Sequence, residues 1–154
     1  MDSHQHHGRF LPVDPDTEPV PPARRWDLAL VVAAGGALGG AARWGLNAAW
    51  PTSGAGTAWS TLAENVLGSF LLGALMVVLL EVRERPSRYA RPFLGVGVLG
   101  GFTTFSAYAV EVVVLARDGR VLAGTAYALG TLLAALLATL AGIALARRLA
   151  GVRP

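Results

Sequence analysis

Cysteine is absent from the 154 residues, and so is lysine. No disulfide and no thiolate metal site is therefore available, and all 13 basic side chains are arginine. Histidine occurs only as His4, His6 and His7, where any bound metal would be adventitious, so the rest of the chain has no imidazole ligand. Charge is scarce as well. Charged residues make up 15% of the chain and hydrophobic ones 53%, with a mean hydropathy of +0.49, whereas soluble domains carry about 25% charge. The pI of 10.2 does not point to nucleic acid, because the arginines flank apolar runs instead of forming a patch. No nucleophile–base pair and no metal-ligand spacing is present, which argues against an enzyme.

What the chain does have is length without charge. Four apolar runs cover residues 28–49, 58–80, 92–116 and 121–146, each exceeding the roughly 20 residues needed to cross a ~30 Å hydrocarbon core. The expected architecture is an all-α membrane protein with four transmembrane helices over residues 27–148. Residues 1–26 hold five of the nine prolines and lack the basic-then-apolar order of a signal peptide, so they read as a disordered tail. Residues 149–154 form a second, short tail. With the N-terminus in the cytoplasm, ten arginines fall on that side and only Arg117 and Arg120 on the other, with Arg43 embedded. The positive-inside rule then places both termini in the cytoplasm of a multi-pass cell-membrane protein.

The spans are not uniformly greasy. The first carries Gly35, Gly36, Gly39 and Gly40, two overlapping G-x-x-x-G pairs that permit close backbone approach. Arg43 follows, at a depth where a guanidinium needs water, a carboxylate or an ion to face. On the second, Thr61, Asn65, Gly68, Ser69, Leu72, Gly73 and Met76 share one helical face, either a packing seam or a pore wall. Tyr127, Thr131, Ala134, Ala135, Ala138 and Gly142 do the same on the fourth.

The third span holds Gly100-Gly101-Phe102-Thr103-Thr104-Phe105-Ser106 near its middle, with Tyr108 and Glu111 beyond. Glycine and hydroxyl residues are poor material for a continuous helix there. Either the small residues pack against a neighbour, or the helix breaks and its freed backbone groups face protein, water or an ion. Arg43, Glu64 and Glu111 each lie some five to seven residues inside the same membrane face, about 8–10 Å at 1.5 Å per residue. A buried Arg–carboxylate cluster is the expectation.

Together, Gly39-Gly40-Ala41-Ala42-Arg43-Trp44, Thr61-Leu62-x-x-Asn65 with Gly68 and Gly73, and Gly100-Gly101-x-Thr103-Thr104-Phe105-Ser106 resemble the Fluc fluoride channels, the CrcB proteins. The match in order and spans covers about residues 28–148. The resemblance implies an antiparallel dimer with two fluoride pathways, a broken third helix, and passive export of fluoride from the cytoplasm. It implies a structural sodium ion at the dimer interface, held by the backbone carbonyls of Gly100 and Thr103. Asn65, Thr104, Phe105, Ser106, Tyr108, Tyr127 and Thr131 would line the fluoride pathway, with Arg43 and Glu111 structural.

The sequence departs from the family pattern at Ser60, where glycine is common, at Tyr108, where a second phenylalanine is usual, and at Glu64, usually apolar. A subunit that must insert both ways to pair with itself should also have balanced loop charge. The arginine bias instead suggests an oppositely oriented homologous partner. Two other readings remain: a non-conducting structural partner of such a subunit, and a small proton-coupled multidrug exporter working through a membrane carboxylate.

Overall fold

The computed structural model describes residues 25–50 and 59–152. The expected tail lies outside the described residues except for Arg25 and Trp26, which begin the first helix. Helix α1 runs Arg25–Ala49 and α2 Trp59–Val77, prolonged by a wider π-helical turn over Val78–Val82. Helix α3 covers 91–102, π-helical over Arg91–Leu99. Helix α4 is Phe105–Arg117 and α5 is Val121–Ala150. No strand occurs among the described residues. Four stretches are long and apolar enough to cross a membrane: Trp26–Ala49, Trp59–Val82, Arg91–Arg117 and Val121–Ala150. The chain is a multi-pass, all-helical membrane protein.

Helix ends are set by local chemistry. Asp27 occupies the first turn of α1 and accepts from Arg88 and from the Tyr89 hydroxyl (2.7 Å), tying the α2–α3 loop to that helix. The α4–α5 turn needs a positive φ at Gly119 (75°), which only glycine adopts without strain. Helix α5 runs four residues past the expected 146, and there Arg147 reaches Glu81 at the end of α2, with bonds of 2.8 and 2.9 Å. Gly151, at φ 68°, then terminates it in a left-handed cap.

Packing follows the small residues. Helix α1 lies along α3, α2 along α5, and α4 rests on α5. On the α1–α3 seam a Cβ at Gly97 would sit 2.8 Å from the Cα of Gly35. On the α2–α5 seam a Cβ at Gly73 would strike the carbonyl of Thr139, and one at Gly142 that of Phe70. Backbones in such contact gain the van der Waals packing that drives helix association in lipid. The outward faces keep leucines, valines and tryptophans exposed, as a lipid-facing surface does.

Candidate functional site

The helical hydrogen bonding of the third span stops at Thr103 and Thr104, both in extended backbone conformation (ψ 159° and 126°). The interruption has an identifiable cause. The Asn65 amide makes two 2.9 Å bonds to Thr104, its Nδ2 donating to the carbonyl and its Oδ1 accepting from the N–H. In a continuous helix that N–H would go to the Gly100 carbonyl. Thr104 then caps α4, its Oγ1 accepting from the Ala107 N–H at 3.2 Å. A continuous helix would give that N–H to the Thr103 carbonyl. Two side chains thus take the donors that Gly100 and Thr103 would otherwise bind. The Thr103 hydroxyl donates back to Leu99 at 2.9 Å. These carbonyls lie at the C-terminal, negative end of α3, and the N-terminal, positive end of α4 faces them across two residues.

A cavity of about 460 Å³ opens beside the break, and Asn65, Thr103, Thr104, Phe105, Tyr108 and Thr131 are among its walls. Gly100 lines it too. Asn65 and Thr104 are buried, whereas Phe105 is 79% exposed and stands at the open side. An aromatic run leads inward: Phe105 and Tyr108 have ring centroids 5.7 Å apart, and Tyr108 and Tyr127 are 5.9 Å apart, all tilted. The Tyr108 hydroxyl donates to the Ala128 carbonyl at 3.1 Å, and Ala128 is not among the cavity's walls. Thr131 Oγ1 is buried without a regular hydrogen-bond partner.

The expected site residues divide into three groups. Asn65, Gly100, Thr103, Thr104, Phe105, Tyr108 and Thr131 meet at the main cavity. Ser106 opens instead on a second cavity of about 360 Å³, which Thr104 also lines, together with Arg43, Asn47 and Glu64. Tyr127 lines neither; its hydroxyl donates to Glu111 at 2.5 Å.

The expected cluster of Arg43, Glu64 and Glu111 is met in part: the charges of Arg43 and Glu111 both act on buried Glu64, without a direct guanidinium–carboxylate pair among the three. Glu111 accepts from two hydroxyls, Thr61 at 2.6 Å and Tyr127 at 2.5 Å, and joins α2, α4 and α5 without a guanidinium. The ion pairs Arg88–Asp27 and Arg147–Glu81 involve none of the three. Arg43 is carried by α1, which packs on α3, and Glu111 by α4, which packs on α5, so these two do not pair directly; both reach Glu64 on α2 between them. Arg43 and Glu64 do border the same cavity. Sequence reasoning missed the Asn65–Thr104 backbone pairing and the Thr61–Glu111–Tyr127 bridge. The second had a signal: all three lie near the same membrane face.

The family model described as "CrcB-like protein, Camphor Resistance (CrcB)" matches residues 30–143. Similar proteins include "Fluoride-specific ion channel FluC 1" of Streptomyces coelicolor, 49% identical over 118 residues, 77% of this chain and 76% of that protein. "Fluoride-specific ion channel FluC 2" of Nocardia farcinica is 43% identical over 77% of this chain and 84% of its own length. "Fluoride-specific ion channel FluC" of Thermus thermophilus is 47% identical over 79% and 95%.

Proposed function

The chain belongs to the CrcB family, and from that membership we propose that it is a subunit of a fluoride-specific channel giving fluoride a passive route out of the cytoplasm. One observation carries the reading: the Asn65 amide that holds the helix break open also borders the cavity into which Phe105 and Tyr108 present their rings. Fluoride is small and strongly hydrated, so its path must replace water with dense donors. Asn65 keeps a second N–H after bonding Thr104, Thr131 has a buried hydroxyl without a hydrogen bond of regular geometry, and aromatic ring edges carry positive potential. The N-terminus of α4 adds the positive end of a helix dipole. Ser106 continues the donors into the second cavity, and Tyr127, bonded to Glu111, supports the wall.

The carbonyls of Gly100 and Thr103 form an oxygen-only donor set at a helix C-terminus, which fits a hard monovalent cation such as sodium. A cation there would offset the charge of a nearby anion. Gly100 and Thr103 also border the cavity whose open side carries exposed Phe105, so a second, antiparallel subunit would cover both the pathway and the cation site. Both termini face the cytoplasm in this reading, with ten arginines against two. A chain fixed in one orientation pairs antiparallel only with an oppositely inserted homologue, and the family's numbered relatives are candidates by kind. A supporting, non-conducting role is the second reading, favoured by the buried carboxylate of Glu64 beside the path.

The test is efflux from liposomes holding this chain, with and without a homologous subunit, measured with a fluoride electrode and with chloride as the control ion. Fluoride efflux without chloride efflux, lost in Phe105→Ala, is expected. Efflux that survives Phe105→Ala makes the chain a support, and none in either preparation refutes the channel. Efflux from a stable dimer of this chain alone removes the heterologous partner.

A further inference from the structure

Glu64 is fully buried, and neither of its carboxylate oxygens accepts a hydrogen bond of regular geometry. A carboxylate in that state inside a membrane is costly when charged, and neutralisation by a proton is the ordinary escape. The groups that act on it come from two helices. Helix α1 supplies the Arg43 charge and the Asn47 amide, and α4 supplies the like charge of Glu111. Arg43 is in neither the Arg88–Asp27 nor the Arg147–Glu81 ion pair. With Asn47, Thr104 and Ser106 it gives the second cavity a guanidinium, an amide and two hydroxyls, which are hydrogen-bond donors around about 360 Å³. The cavity joins the main one at Thr104, which borders both, and the Thr104 and Ser106 hydroxyl oxygens lie 3.4 Å apart.

We propose that this second cavity is an anion site whose occupancy is linked to a proton on Glu64, filled when the carboxyl is neutral and refused when it is ionised. The proposal rests on the channel reading for the identity of the anion, fluoride. With Glu64 neutral, the wall offers donors and the Arg43 charge. With Glu64 ionised, its charge cancels that of Arg43 and stands beside Glu111. A unit charge at ~6 Å and an effective permittivity of ~20 changes anion binding by on the order of a hundredfold. Linkage is reciprocal, so fluoride must favour protonated Glu64 by the same factor and raise its titration midpoint by up to about two pH units. No covalent step is involved; the proton comes from water and sits on a carboxylate oxygen.

Infrared difference titration of the full-length chain in membranes, with any co-purifying subunit, reads this directly. The protonated-carboxyl C=O stretch of Glu64 is assigned by its loss in Glu64→Gln and its displacement in Glu64→Asp. Its midpoint should move up when sodium fluoride replaces sodium chloride. An unmoved or lowered midpoint, or no titrating band from Glu64, overturns the proposal. Efflux run in parallel separates the two readings. Fluoride efflux with an unmoved midpoint removes the linked site and keeps the channel. A raised midpoint without efflux removes the channel and keeps the site.

Discussion

Asn65 is where the geometry makes its sharpest demand. Its amide supplies both partners of the Thr104 backbone, and it is itself 9% exposed. Asn65→Leu removes both bonds and adds no polar group. A buried backbone group left without a partner costs about 1–3 kcal/mol, while polar contacts between membrane helices average about 0.6 kcal/mol because the chain in lipid finds other partners. Two bonds therefore put the loss near about 2–3 kcal/mol. The break has such an alternative: the Thr104 N–H returns to the Gly100 carbonyl and the helix runs on. The ratio of open break to continuous helix would then fall about 30–150-fold, since about 1.4 kcal/mol is a factor of ten. Fluoride efflux should fall by that factor while helical content by circular dichroism holds or rises slightly. Asn65→Asp keeps the acceptor for the Thr104 N–H but loses the donor and brings a charge. It should recover about half of the lost stability and none of the efflux. Wild-type efflux in Asn65→Leu would refute the claim that this side chain holds the helix open.

Three further substitutions test other parts of the fold. Tyr108→Phe removes a hydroxyl that bonds the Ala128 carbonyl outside the path, so it should cost about 0.5–1.5 kcal/mol in thermal unfolding and leave the efflux rate unchanged; altered efflux would put that hydroxyl in the pathway. Gly142→Leu drives a side chain into the Phe70 carbonyl, where overpacking costs about 1–3 kcal/mol or more, and should abolish a monodisperse elution profile, whereas Gly130→Ala, facing open space, should elute as wild type.

How much of this was legible in the sequence differs by residue. The four spans were, because charge-free length is a one-dimensional property. So were the buried faces: Tyr127, Thr131 and Gly142 are all buried on α5, at the spacing that helical periodicity gives. The composition of Gly100–Ser106 marked a weak helix, yet nothing in that composition names the side chain that breaks it, since Asn65 acts from another helix. Resemblance supplied Asn65 as a pathway residue and was silent on its two backbone bonds.

The Arg43–Glu64–Glu111 cluster, met without a direct ion pair, marks where such reasoning stops. Counting residues from a membrane face gives depth, and depth brought the three charges level. Whether they meet depends on azimuth and on which helices are neighbours, and here the glycines decide. Gly35 and Gly97 seat α1 against α3, while Gly73 and Gly142 seat α2 against α5. Arg43 is thereby directed to the cavity at the break and Glu111 to the hydroxyls of Thr61 and Tyr127. Glu64, on α2 between them, is left with Arg43 across a cavity, the Asn47 amide beside it and no hydrogen bond of regular geometry. A buried carboxylate without a regular hydrogen bond is therefore a product of the helix seams, and the seams must be known before its charge can be reasoned about.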